Sequence, residues 1–273
     1  MGGSMPTARL KRSGSAQGDI SGDQKPGDSA SGPRQTVLGM ECRHYSVQRA
    51  AADPWAYENK AAANGYVTIA GIDEAGRGPL AGPVVSAAVV LPRAFSNAEV
   101  TDSKKLSPAL RSKLYDVIYE HAVAIGIGIV DAVEIDRINI LQASLLSMAI
   151  ATRNLDPSPD CLLIDGTFPI PLPTYQKTIP KGDALSISIS AASIVAKVTR
   201  DRMMDCYDVY YPQYGFTSHK GYPTKAHREA IQKFGDCPIH RRSFKGVREY
   251  VQPSNKMQLP LRTAHAESKT KIR

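Results

Sequence analysis

Cysteine is scarce and scattered. Cys42, Cys161, Cys206 and Cys237 form no C-x-x-C pair, which excludes a disulfide framework or a zinc knuckle and points to a reducing compartment, the cytoplasm. Long hydrophobic runs are also missing. The apolar stretch from Val84 to Leu91 has the length of a buried strand and falls far short of the roughly 18 residues of a spanning helix, so no membrane segment is expected. Excess charge is absent from most of the chain. Residues 61–240 carry 17 basic and 18 acidic groups, whereas residues 241–273 carry nine basic and two acidic, and Arg241, Arg242, Lys245, Arg248, Lys256, Arg262, Lys269, Lys271 and Arg273 would attract a polyanion or form a solvated basic tail. What is present, 273 residues with 42% hydrophobic side chains, suffices for a core of one or two domains without staples.

The first 35 residues hold 16 Gly, Ser or Pro, with Leu10 and Ile20 as the only bulky branched aliphatics, too little apolar surface to offset the entropy of ordering. Residues 1–60 are therefore expected to be a disordered or poorly ordered extension, 61–250 the folded domain and 251–273 a basic tail. Arg9, Lys11 and Arg12 precede the first acid, Asp19, but no apolar or Arg-rich amphipathic segment follows, so a targeting signal is weak. Strands are expected at Tyr66 to Ile72, Pro83 to Leu91, Ala122 to Val130 and Cys161 to Ile164. Ser107 and Pro108 open a helix to Glu120 as N-cap and first helical residue, and further helices are expected over Ile140 to Arg153 and about Ser186 to Tyr210. The fold class is α/β, a mixed sheet flanked by helices with a C-terminal helical extension.

Asp73 and Glu74 close the first apolar strand, and Asp165 closes a later one. Carboxylates at the ends of buried strands need partners; helix capping or isolated ion pairs would supply them separately, but acids from two strands can converge in the crevice at the strand ends. Oxygen donors with few His or Cys nearby suit Mg²⁺ or Mn²⁺, and such a cluster points to phosphoryl chemistry. The following loop, Ala75 to Gly82, imitates a dinucleotide fingerprint, but Pro79 and Pro83 interrupt the helix that the fingerprint must open, and the acid pair would repel a pyrophosphate. Gly76 and Gly78 instead allow close approach of a sugar-phosphate chain, with Arg77 reaching a phosphate; a plain tight turn is the alternative.

Gly71-Ile-Asp-Glu-Ala-Gly-Arg-Gly-Pro-Leu-Ala-Gly-Pro83, Asp102-Ser-Lys104, Leu163-Ile-Asp-Gly166, Lys181-Gly-Asp183, Ser190-Ala-Ala-Ser-Ile194 and His219-Lys-Gly-Tyr222 together resemble the ordered motifs of ribonuclease HII, the type 2 ribonuclease H, from about Tyr66 to Tyr250. The resemblance implies a ribonuclease H-like fold and endonucleolytic hydrolysis of the RNA strand in RNA/DNA hybrids and at ribonucleotides embedded in duplex DNA, as in ribonucleotide excision repair. It also implies metal-binding acids at Asp73, Glu74, Asp165 and Asp183, a substrate loop at Gly76, Arg77 and Gly78, a substrate-sensing Tyr222 and a backbone-contacting Lys104. Two divalent ions, Mn²⁺ or Mg²⁺, would activate water and stabilise the leaving 3′ oxygen, giving 5′-phosphate and 3′-hydroxyl ends, while the Gly76 to Gly78 backbone reads the 2′-hydroxyl. The expected state is a monomer. Asp201, mid-helix, reads as an ion-pair residue rather than a fourth ligand, and His219 has no assigned role. The rival reading is a non-catalytic nucleic-acid-binding module whose acids cap helices.

Overall fold

The computed structural model describes residues 53–96, 100, 103 and 106–251. Among them, β1 (Ile69–Ala75), β2 (Val84–Val90), β3 (Ala124–Val130), β4 (Cys161–Asp165) and β5 (Tyr175–Ile179) form a mixed sheet in the order β3-β2-β1-β4-β5. The β3-β2-β1 half is antiparallel, and β4 and β5 run parallel to β1. This places β1 at the centre, with β4 beside it pointing the same way, so the acids that close these strands emerge at one end of the sheet.

Among the described residues seven α-helices accompany the strands: α1 (Ala56–Ala63), α2 (Pro108–His121), α3 (Ala132–Ile138), α4 (Ile140–Arg153), α5 (Ile187–Tyr210), α6 (Phe216–His219) and α7 (Lys225–Phe234). Period-2 alternation divides the sheet between two helical layers. Ala87 and Val89 of β2 pack with Leu114, Ile118, Ala191 and Val195 of α2 and α5, while Ala88 and Val90, with Ala70 and Ile72 of β1, pack with Met148 and Ala151 of α4. The helix starts follow their caps. Ser107 accepts from the Leu110 N–H at 3.2 Å, with Pro108 next in line, and Ser186 accepts from the Ile189 N–H at 3.3 Å. After α5, the short α6 and α7 close a separate apolar cluster with Leu80, Met204, Tyr214 and Phe216. That cluster is the helical extension expected from the sequence.

Two expectations shift. The first strand starts at Ile69, because the Val67 and Thr68 N–H groups donate to the Asp160 carboxylate at 2.9 and 3.0 Å before pairing begins. The boundary expected at residue 60 falls inside α1, while residues 1–52 lie outside the described residues. Glu58 of α1 is buried, and its Oε1 accepts from Ser186 Oγ at 2.5 Å, Ser188 Oγ at 2.6 Å and the Ser188 N–H at 3.1 Å, tying this helix to the start of α5.

Candidate active site

The central strand delivers Asp73 to the α5 face and Glu74 beside it, and the adjacent parallel strand delivers Asp165. All three line one cleft of about 260 Å³ together with Gly76, Arg77, Gly78, Ser103, Ser193, Lys197 and Tyr222. Asp183 sits next door, buried in the single turn Gly182–Ala184 that leads into α5, and the Gly182 N–H donates to Asp165 Oδ1 at 2.7 Å. One hydrogen bond thus ties the Asp183 turn to Asp165.

The carboxylates share an uncomfortable environment. Burial, then the neighbouring charges of Glu74 and Asp165, push the Asp73 pKa well above the usual carboxylate range, against hydrogen bonds from Ser193 and the Glu74 N–H. Burial also raises Glu74, where the Arg77 guanidinium pulls the other way and Asp165 adds to the rise. Arg77 Nη1 lies 3.3 Å from Glu74 Oε1, so the loop arginine partly neutralises the cluster. A set of oxygen donors held together against burial and mutual repulsion fits a hard divalent cation, whose charge would reverse both penalties. Among the described residues no three acidic, imidazole or thiolate side chains are gathered closely enough to hold an ion as they stand, so the fit rests on the chemistry and placement of the donors.

The glycine loop forms one wall. Gly76 has φ +102°, and a Cβ there would run into the Arg200 side chain and the Pro83 carbonyl. Gly78 differs. Its φ lies outside the left-handed region, and a Cβ would meet only Tyr222 Cε1, at 3.7 Å. Tyr222 lines the cleft beside the glycine loop, 42% exposed, with Lys197 Nζ 5.9 Å and the Arg200 guanidinium carbon 6.0 Å from its ring centre. An accessible ring backed by cations is suited to stacking on a sugar or base.

Of the sequence-derived site residues, Asp73, Glu74, Asp165, Gly76, Arg77, Gly78 and Tyr222 meet at the cleft and Asp183 adjoins it, whereas Lys104 lies outside the described residues. Sequence reasoning gave no individual role to Ser103, Ser193 or Lys197. Ser103 and Ser193 share a 2.7 Å hydrogen bond, and Ser193 continues it to Asp73. Ser193 and Lys197 stand four residues apart on α5, the spacing of one helix face, and that spacing was the available signal. Lys197 explains Asp201: the two form a 2.6 Å ion pair, so Asp201 serves the lysine of the cleft. His219 is occupied at both ring nitrogens, with Nε2 2.9 Å from the Tyr214 carbonyl and Nδ1 accepting from the Gly221 N–H, which leaves no nitrogen for a proton shuttle.

The basic C-terminal run also divides. Arg241 is fully buried, whereas Arg242 is 44% exposed and pairs through Nε with the buried Asp236; Lys256, Arg262, Lys269, Lys271 and Arg273 lie outside the described residues.

A family model described as Ribonuclease HII matches residues 70–247. A Ribonuclease HII of Geobacter sulfurreducens is 58% identical over 200 residues, 73% of this chain and 92% of the relative, and that of Syntrophus aciditrophicus is 59% identical over 189 residues, 69% and 89%. Among solved structures, the ribonuclease H2 from Pyrococcus horikoshii superposes with a TM-score of 0.57 at 29% identity, covering 67% of this chain and 97% of that one.

Proposed function

The chain belongs to the ribonuclease HII family and is a ribonuclease H that hydrolyses the RNA strand of RNA/DNA hybrids; from that premise we propose that it also cleaves at ribonucleotides embedded in duplex DNA, at the cleft lined by the carboxylates, the glycine loop and Tyr222. The observation that carries this reading is the convergence of Asp73, Glu74 and Asp165 at the ends of two neighbouring parallel strands, with Asp73 and Glu74 both raised in pKa by burial. Asp73, Glu74, Asp165 and Asp183 would hold Mg²⁺ or Mn²⁺. Two such ions, when bound, supply water activation and neutralisation of charge on the leaving 3′ oxygen.

The chain's own groups do the rest. Ser193, braced by Ser103, holds the Asp73 carboxylate in place from α5, and Gly182 holds Asp165 from the turn that carries Asp183. Lys197 brings a cation to the cleft, kept on α5 by Asp201. Arg77 is placed to exchange its Glu74 contact for a phosphate. The main chain from Gly76 to Gly78 hydrogen-bonds the 2′-hydroxyl, the group that separates ribose from deoxyribose. Tyr222 stacks on the sugar next to an RNA–DNA junction. Products carry 5′-phosphate and 3′-hydroxyl ends, and no nucleophilic Ser or Cys takes part.

The test uses two substrates, a long hybrid and a duplex with one ribonucleotide, each with Mg²⁺, with Mn²⁺ and with chelator. Cutting of both only in the presence of a divalent ion, with 5′-phosphate ends, is expected. Cleavage that persists in chelator, or an uncut single-ribonucleotide duplex, would overturn the corresponding part of the reading.

A further inference from the structure

Arg200 and Arg241 are the two largest fully buried side chains of the described residues, 1% and 0% exposed, and burying a guanidinium is costly unless its donors are satisfied. Every hydrogen bond that they make among the described residues goes to a main-chain carbonyl. Arg241 donates from Nε to Gly82 at 3.0 Å, from Nη1 to Arg77 at 3.0 Å and from Nη2 to Gly76 at 2.5 Å. Arg200 donates to Pro83 at 2.9 Å, to Ala81 at 3.1 Å and to Lys220 at 3.0 Å, the last in the turn that carries Tyr222. Neither arginine lines the cleft. Both lie behind its glycine wall and grip it from the protein side.

The consequence follows from the planarity of the peptide. In a trans peptide the carbonyl of one residue and the N–H of the next point in opposite directions. Fixing the Gly76 carbonyl on Arg241 turns the Arg77 N–H away from it, and fixing the Arg77 carbonyl turns the Gly78 N–H away too. Among the described residues neither N–H meets an acceptor, although both residues line the cleft. Two adjacent donors thus face outward, with full positive charge behind them to strengthen what they bind.

We infer that Arg241, assisted by Arg200, is the positioning residue for sugar selection, presetting the Arg77 and Gly78 N–H groups for an oxygen of the ribose. This rests on the glycine loop being the segment that contacts the sugar. A lysine at position 241 keeps the charge but not the planar fork that reaches three carbonyls at once.

The experiment compares binding of a duplex with one ribonucleotide and its all-deoxy counterpart, in chelator so that neither is cut, by the full-length protein and its Arg241→Lys variant. The ratio of the two affinities is expected to fall about tenfold in the variant, while affinity for the all-deoxy duplex and the Mn²⁺ titration stay unchanged. A folded variant that keeps the wild-type ratio, or that loses both affinities in parallel, overturns the assignment. In the wild type, amide exchange gives an independent reading that does not depend on the variant folding. The Arg77 and Gly78 amides should exchange freely in the unbound protein and become protected by the ribose-containing duplex alone. Amides already protected without substrate would show inward-facing N–H groups and overturn the inference. Freely exchanging amides that respond alike to both duplexes would overturn the sugar-reading role of the loop, and with it the inference.

Discussion

Alanine substitutions at the two glycines of the loop should separate substrate approach from folding. At Gly76 the added methyl enters a backbone with φ +102° and collides with Arg200 and the Pro83 carbonyl. A side chain held in such a region costs about 1–3 kcal/mol, and in a fold of this size each kcal/mol lowers Tm by about 2–4 °C, so Gly76→Ala should melt roughly 2–12 °C lower. At Gly78 the same methyl strains nothing and touches only the Tyr222 ring, at 3.7 Å. Removing a glycine from a compatible position stabilises by about 0.4–1 kcal/mol through the unfolded chain, so Gly78→Ala should keep or slightly raise the wild-type Tm. Its methyl, however, adds bulk to the lining of the cleft where the sugar would approach the loop. Losing one neutral hydrogen bond costs about 0.5–1.5 kcal/mol, and displacing the reacting phosphate by an ångström adds up to about 100-fold in rate. A loss of kcat/KM on the order of 10- to 100-fold is expected on the single-ribonucleotide duplex. Thermal melts and steady-state kinetics on both variants make the comparison. Wild-type kcat/KM in a fully folded Gly78→Ala protein would refute the placement of substrate against the loop at Gly78.

Asp73→Asn should abolish cleavage while hybrid binding and folding survive. Because the folded-state pKa of Asp73 is raised, its contribution to stability is present below the usual carboxylate range and is lost as pH rises through the raised value; melts in chelator should therefore show Tm falling with pH in that window, less steeply in the variant, and parallel curves would count against the crowded cluster. Tyr222→Ala should lower kcat/KM on a single-ribonucleotide duplex by about 5- to 150-fold, the equivalent of a stacking contact of about 1–3 kcal/mol, and by less on a long hybrid, with the Mn²⁺ titration unchanged; equal losses on both substrates would remove the junction role. Deletion of residues 1–60 should destabilise the protein by roughly 2–5 kcal/mol relative to deletion of residues 1–52, since only the longer cut removes the buried Glu58 acceptor from Ser186 and Ser188. Identical denaturant midpoints for the two truncations would show that α1 does not brace the start of α5.

The elements that the sequence announces are those whose ends carry their own chemistry. Ser107 with Pro108, and Ser186 ahead of Ile187, state where two helices start without reference to the rest of the molecule, and both caps are formed. The acids are legible for the opposite reason: Asp73, Glu74 and Asp165 contradict the apolar strands that they end, and only a shared site relieves the contradiction. β5 escapes notice because Tyr175–Ile179 is an edge strand with a polar, partly exposed alternation that a loop could equally show. The buried arginines escape it more completely. Charge class places Arg200 and Arg241 at the surface, one beside Asp201 and the other in the basic C-terminal run, whereas their partners are carbonyls of loops far away in sequence, 159 to 165 residues for Arg241. Such partners leave no mark on the sequence, since every residue has a carbonyl. A glycine loop has no side chains at two of its three positions, so what it offers a substrate is decided by how its peptides are turned. Here that orientation is fixed by a guanidinium more than 150 residues away, which is why the motif marks the loop in the sequence, while only the fold shows what turns its peptides.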